Sequence, residues 1–136
     1  MAPTLEDAVA LACRAHLGQL DKNGQPYLLH VLRVVLRQDD PTARIVAALH
    51  DVVEDTATTI DDLRIAGYSD EVCAAVDALT HRQGEAYEEM IARIAPNALA
   101  RRVKLADLED NMSPARRIPG DDNRQKRYTA AYAQLA

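Results

Sequence analysis

The segment ALHDVVEDT, residues 48–56, sets one histidine and three carboxylates into six positions of an otherwise apolar run. Charges are costly there unless something answers them, because an unpaired buried carboxylate forfeits its hydration. On a helix over 44–55, His50 and Glu54 stack on one face, and Asp51 and Asp55 stack one column over. Adjacent helical residues point about 100° apart, so His50 and Asp51 both reach a point between their directions. A histidine and a carboxylate converging there suit a divalent metal, with Glu54 and Asp55 one turn further on. A helix end with solvated acids and a hydrogen-bonded core histidine is the alternative that this segment alone leaves open.

Two further polar residues break apolar helical faces. His30 interrupts YLLHVLRVV, and Asp107 interrupts RRVKLADLEDNM, where Val103, Leu105 and Ala106 are expected to face the core. Three separate helices would thus each turn a ligand-type side chain inward. His, His, Asp and Asp form a mixed nitrogen and oxygen set, better suited to manganese or iron than to a sulfur-bound zinc. The chain has 4 histidines. With His16 and His81 read as structural or supporting, one metal ion is expected, with manganese the favoured choice.

The elements that must position these residues read as helices throughout. Thr4 and Asp7 make a capping-box pattern ahead of LEDAVALACRAHLG, with Leu5, Val9, Ala12 and Cys13 placed on one face. QLDKNGQP is a polar turn, YLLHVLRVVLRQ is helical, and Pro41 opens a helix running TARIVAALHDVVEDT. TIDDLRIAG, SDEVCAAVDALTHR, EAYEEMIARIA, ALARRVKLADLEDNM and NRQKRYTAAYAQLA follow as amphipathic segments. No run alternates for long enough to make a strand. The expectation is an all-α chain, residues 1–136 as one compact helical bundle of about seven helices.

Composition agrees. Hydrophobic residues make up 48% of 136 and aromatics only 4%, so Leu, Val, Ile and Ala must fill a core of close-packed helices. Net charge is −5, which argues against general nucleic-acid binding. Residues 1–100 carry 8 basic against 16 acidic side chains, whereas residues 101–136 carry 8 against 5. An acidic body with a basic tail suits a metal on one side and phosphates on the other. Cys13 and Cys73, each among small apolar residues, read as buried free thiols. No secretory pattern and no apolar stretch near 18 residues is evident, so a cytoplasmic protein with no membrane partner is expected.

HDVVED, the upstream GQPYLLH and the downstream KLADLEDN together resemble the HD superfamily of metal-dependent phosphohydrolases. The closer likeness is to the hydrolase half of RelA/SpoT-type alarmone enzymes and their stand-alone small relatives, and it extends from about Ala12 to Met112. Carried over by position, the resemblance implies His30, His50, Asp51 and Asp107 as metal ligands and Glu54 and Asp55 as the acidic pair beside the attacking water. It also implies nucleotide contacts by Asn111 and by Lys22 in the first loop. The departures lie around the substrate. Asp21 stands where the larger enzymes carry Arg, Val31 follows the ligand histidine in place of Pro, and Leu108, Glu109 and Asp110 replace basic and aromatic residues.

The chemistry expected is hydrolysis at phosphorus. A divalent ion lowers the pKa of a water, Glu54 or Asp55 orients that water or moves its proton, and Lys22, Lys104 and Arg124 or Arg127 hold phosphates. The favoured reading is (p)ppGpp 3′-pyrophosphohydrolase activity on a small phosphorylated nucleotide, without synthesis. The alternatives are an HD phosphohydrolase for another metabolite, such as NADPH or a nucleotide, and a non-catalytic nucleotide-binding sensor.

Overall fold

The structure, a computed structural model, describes residues 2–136. Among these residues the chain forms nine helices: α1 (Leu5–Ala15), α2 (Tyr27–Leu36), α3 (Pro41–Leu49), α4 (Val52–Asp55), α5 (Ile60–Ala66), α6 (Asp70–Leu79), α7 (Tyr87–Ile94), α8 (Ala98–Met112) and α9 (Asp122–Leu135). No strand occurs among them, and the one β-type contact is an isolated bridge between Leu20 and Pro26. The all-α expectation holds. None of the described helices is long and apolar enough to cross a membrane.

Helix α3 is the hub, packing against α1, α2, α6 and α8, while α8 also packs on α2 and α9. Small side chains make this possible. Ala43, Val46, Ala47, Ala48 and Leu49 of α3 are all fully buried, and Ala8 and Ala12 of α1 and Ala100 and Val103 of α8 are buried too. Alanine and valine surfaces let helix axes approach closely and cost little side-chain entropy on ordering. Helix α8 buries residues on more than one side, including Val103, Ala106, Asp107, Leu108 and Asp110, as its position between α2, α3, α6 and α9 demands.

Caps set where the helices begin. Thr4 with Asp7, and Thr59 with Asp62, form complete capping boxes on α1 and α5, and Asp40 accepts the Ala43 N–H with Pro41 at the first turn of α3. The polar loop before α2 is equally ordered. Asp21 Oδ1 accepts the N–H groups of Asn23 (2.9 Å) and Gln25 (3.0 Å), and Gly24 supplies the required positive φ of 78°.

Two details differ from the sequence reading. The helix expected over 44–55 is interrupted. Residue 50 caps α3, Asp51 takes φ −110° and ψ 0°, and α4 starts afresh at Val52. The His50 ring supplies the cause, because its Nδ1 donates to the Ala47 carbonyl at 2.6 Å, the acceptor a continuous helix would pair with Asp51 N–H. Secondly, Cys13 is exposed, while Cys73 is buried. The core column of α1 runs through Ala8 and Ala12, and the next residue along rotates out of it.

Asp40→Ala removes the cap of the hub helix and should cost about 1 kcal/mol of unfolding free energy, measured by urea denaturation.

Candidate metal centre and adjoining cavity

Helices α2 and α8 and the break between α3 and α4 bring His30, Asp107, His50 and Asp51 together, with one ligand-type atom of each within 4.8 Å of all the others. His30 Nε2 lies 2.8 Å from Asp107 Oδ1 and 4.0 Å from Asp51 Oδ2. His50 Nε2 lies 2.9 Å from Asp51 Oδ2 and 3.4 Å from Asp107 Oδ1. Both rings are oriented from behind: His50 Nδ1 by the Ala47 carbonyl, and His30 Nδ1 by Asp110 Oδ2 at 2.6 Å. With each Nδ1 committed as a donor, both Nε2 atoms face the carboxylates.

His50 Nε2 is buried and, despite its short distance to Asp51, makes no hydrogen bond in a proper direction. A nitrogen lone pair turned on two carboxylate oxygens is repelled unless a positive charge lies between them. Burial alone would lower the pKa of His50, but Asp51 and Asp107 outweigh it and hold the imidazole well above its ordinary value. His30 is raised likewise, chiefly by Asp107 and Asp110 against burial. Burial would raise Asp51 and Asp107, yet His50 holds Asp51 down and Lys104 holds Asp107 down. The same field that draws protons to the rings would hold a divalent cation. Two imidazole nitrogens and two carboxylate oxygens, with no thiolate nearby, are a donor set that fits one.

Tyr27 and Lys104 complete the surroundings. The Tyr27 hydroxyl donates to Asp51 Oδ2 at 2.5 Å, and burial together with Asp51 keeps the phenol protonated by raising its pKa. The Lys104 ammonium, its side chain 11% exposed, donates to Asp107 Oδ2 at 2.8 Å. Lys104, expected from the sequence to hold substrate phosphates, pairs with Asp107 in the structure, because residues three apart on α8 share a face.

Glu54 and Asp55 lie on the rim. Glu54 Oε1 accepts the His81 N–H at 2.8 Å, and Asp55 Oδ2 accepts from Gln19 Nε2 at 3.2 Å. Partial burial and the nearby Asp51 charge raise both carboxyl pKa values above their ordinary range. The loop that offers His81 is clasped by Arg93, which donates to Glu85 (2.8 and 3.0 Å) and to the carbonyls of Ala78 (2.8 Å) and Thr80 (3.0 Å).

Tyr27 also forms part of the wall of a cavity of about 390 Å³, shared with Lys22, Asn111 and Arg127. Arg116, Arg124 and Tyr128 line it as well, so the basic tail supplies much of this surface. Asn111 Oδ1 and Arg116 Nη1 are buried without partners, and the Arg116 guanidinium lies 5.4 Å from the Tyr27 ring centroid. Arg127 additionally lies over the Tyr87 ring at 4.7 Å. The sequence reading did not single out Arg116, Gln19 or a ligand-orienting role for Asp110. Only Asp110 left a sequence signal, three residues after Asp107 on the same helix.

No protein-family model matches the chain. It is 33% identical over 135 residues to a GTP pyrophosphokinase of Streptomyces coelicolor, covering 90% of this chain and 16% of that protein. It is 30% identical over 123 residues to a guanosine-3′,5′-bis(diphosphate) 3′-pyrophosphohydrolase of Aquifex aeolicus, covering 82% and 18%. To the bifunctional (p)ppGpp synthase/hydrolase SpoT of Escherichia coli it is 31% identical over 136 residues, covering 89% and 19%. The chain therefore spans less than one fifth of the length of these relatives. Among solved structures, one described as a metazoan ortholog of SpoT that hydrolyses ppGpp shares the fold with a TM-score of 0.75 at 23% identity, covering 99% of this chain and 87% of that one.

Asp107→Ala should unfold the metal-free protein more easily by about 3–5 kcal/mol, because it strands the buried Lys104 charge. Urea denaturation in chelator checks this. A second measurement tests the loop clasp. The Arg93 hydrogen bonds hold the Glu85 carboxyl down at about 2 against an ordinary 4.5. A lowered folded-state pKa contributes stability that is present above about pH 4.5 and is lost as pH falls towards 2. Glu85→Gln should therefore flatten the stability profile over that window, read as the difference in urea midpoint between wild type and variant.

Proposed function

We propose, for a chain that belongs to the RelA/SpoT family through its HD-type hydrolase domain, that the activity is metal-dependent removal of pyrophosphate from the 3′ position of (p)ppGpp. The observation that carries this reading is the convergence of His30, His50, Asp51 and Asp107 beside a cavity whose wall is basic. These four residues would hold one divalent ion, and manganese is the ion proposed. One ion fits the histidine count, since His16 Nδ1 donates to Gln19 Oε1 and His81 Nε2 donates to the Glu85 carbonyl. When bound there, a divalent cation supplies Lewis acidity and lowers the pKa of a water.

The rest of the chemistry belongs to the side chains. Glu54 and Asp55 each keep one carboxylate oxygen free of the bonds that tether them, to His81 N–H and to Gln19. Their raised pKa values suit proton transfer nearer to neutral pH than an ordinary carboxylate allows. One of them takes the proton as the water oxygen bonds to phosphorus, the bond from phosphorus to the ribose 3′ oxygen breaks, and that oxygen gains a proton. Lys22, Asn111 and Arg127 hold the nucleotide in the cavity. Lys104 acts through Asp107, sharing its negative charge so that the carboxylate stays oriented.

Asp21, spent on ordering its own loop, presents no basic group where the larger enzymes have one, and this keeps a second phosphorylated metabolite such as NADPH in view. The test is pyrophosphate release from ppGpp by the purified chain with Mn²⁺, with NADPH and nucleoside monophosphates run in parallel. Turnover of ppGpp alone is expected. Phosphate release from another substrate with ppGpp idle would replace the substrate and keep the site. Glu54→Gln should retain metal and lose about 10²–10⁴-fold in kcat. Full turnover in that variant would move the proton-transfer role to Asp55.

A further inference from the structure

Asp110 is fully buried, one turn along α8 from Asp107. A carboxylate in that position must be answered on both oxygens. Its Oδ2 lies 2.6 Å from His30 Nδ1, and Arg33 forks onto it from α2 with Nε on Oδ1 at 2.7 Å and Nη2 on Oδ2 at 3.2 Å. His30 and Arg33 are three residues apart on one helix face, so a single stretch of α2 delivers both partners. A buried ion pair of this kind is a poor source of stability, since desolvation consumes most of its attraction. Its placement directly behind one proposed ligand calls for another explanation.

We infer that Asp110 is a positioning residue for His30: its carboxylate takes the Nδ1–H bond and so aims the Nε2 lone pair into the cluster, with Arg33 as its counter-charge. The inference rests on the metal site proposed above. His50 has the corresponding arrangement, with its Nδ1 tied to the Ala47 carbonyl, so both rings are held from behind and turn Nε2 towards the cluster. A carboxylate behind a ligand imidazole also makes that imidazole a stronger donor than a carbonyl does. Arg33 matters because Asp51 and Asp107 already put two negative charges at the centre. With the guanidinium fork in place, Asp110 orients the ring without adding a third. Asp110 is one of the residues by which this chain departs from the family pattern, so the device belongs to this chain's own sequence.

The test uses the full chain, stripped of metal and titrated with Mn²⁺ alone. Asp110→Asn should weaken Mn²⁺ binding by about 10- to 100-fold, while circular dichroism shows the helices intact. Unchanged Mn²⁺ affinity in Asp110→Asn beside a lowered melting temperature would reduce Asp110 to a structural ion pair and overturn the inference. A wild-type chain that binds no Mn²⁺ would instead overturn the metal reading itself, and this inference with it. Nitrogen-15 NMR of the wild-type histidines with Zn²⁺ as a diamagnetic probe decides the point without any variant. A proton on His30 Nδ1 is expected, and a proton on Nε2 would overturn the assignment even if Asp110→Asn fails to fold.

Discussion

Asp107 has a different partner on each oxygen. Oδ1 faces His30 Nε2 at 2.8 Å and His50 Nε2 at 3.4 Å, and Oδ2 takes the Lys104 ammonium at 2.8 Å. Buried charges tolerate little error, because each must be answered by a partner at bonding distance or its hydration is lost uncompensated. That constraint ties α2, α3 and α8 to one register. Sliding α8 by a single residue would turn Asp107 and Asp110 away from α2 together and leave His30 and Arg33 without carboxylates. The packing of small side chains along α3 and α8 permits the close approach, and the charge network selects which approach is taken.

The interruption at His50 and Asp51 follows from the same demand. A continuous helix would space the two side chains about 100° apart, so that they meet only at a point between their directions. Ending α3 at Leu49 and restarting α4 at Val52 turns both towards one centre, and the Ala47 carbonyl accepts both the His50 backbone N–H at 3.4 Å and the ring Nδ1–H at 2.6 Å. The break also carries Glu54 and Asp55 to the rim, where separate elements restrain them: the α6–α7 loop through His81, and the loop after α1 through Gln19.

The site thereby divides into an acidic, buried half and a basic, open half. Tyr27 is the shared wall, its hydroxyl on Asp51 and its ring beneath the Arg116 guanidinium. Helix α9 and the turn before it supply most of the positive charge of the cavity. An anionic substrate lying there meets cationic side chains at one end and the proposed metal centre at the other. This polarity is consistent with the proposed hydrolysis of a phosphorylated nucleotide.

Much of this was legible in the residues alone. Helical periodicity identified the elements because it is a property of neighbours in sequence, and the polar intrusions at His30, His50, Asp51 and Asp107 stood out because each broke an apolar face. The resemblance added the roles proposed for them and for Glu54, Asp55, Lys22 and Asn111. Periodicity could not reveal the break after Leu49, since it arises from one side chain capturing a backbone carbonyl. Nor could it show that Cys13 turns outward, that Lys104 is claimed by Asp107, or that Asp110 reaches His30, a contact between residues 80 positions apart. Sequence by itself determined which residues were able to hold charge inside a helical core. The docking of α2, α3 and α8 decided which charges meet, because pairing in the interior depends on distances across helices that no local pattern encodes.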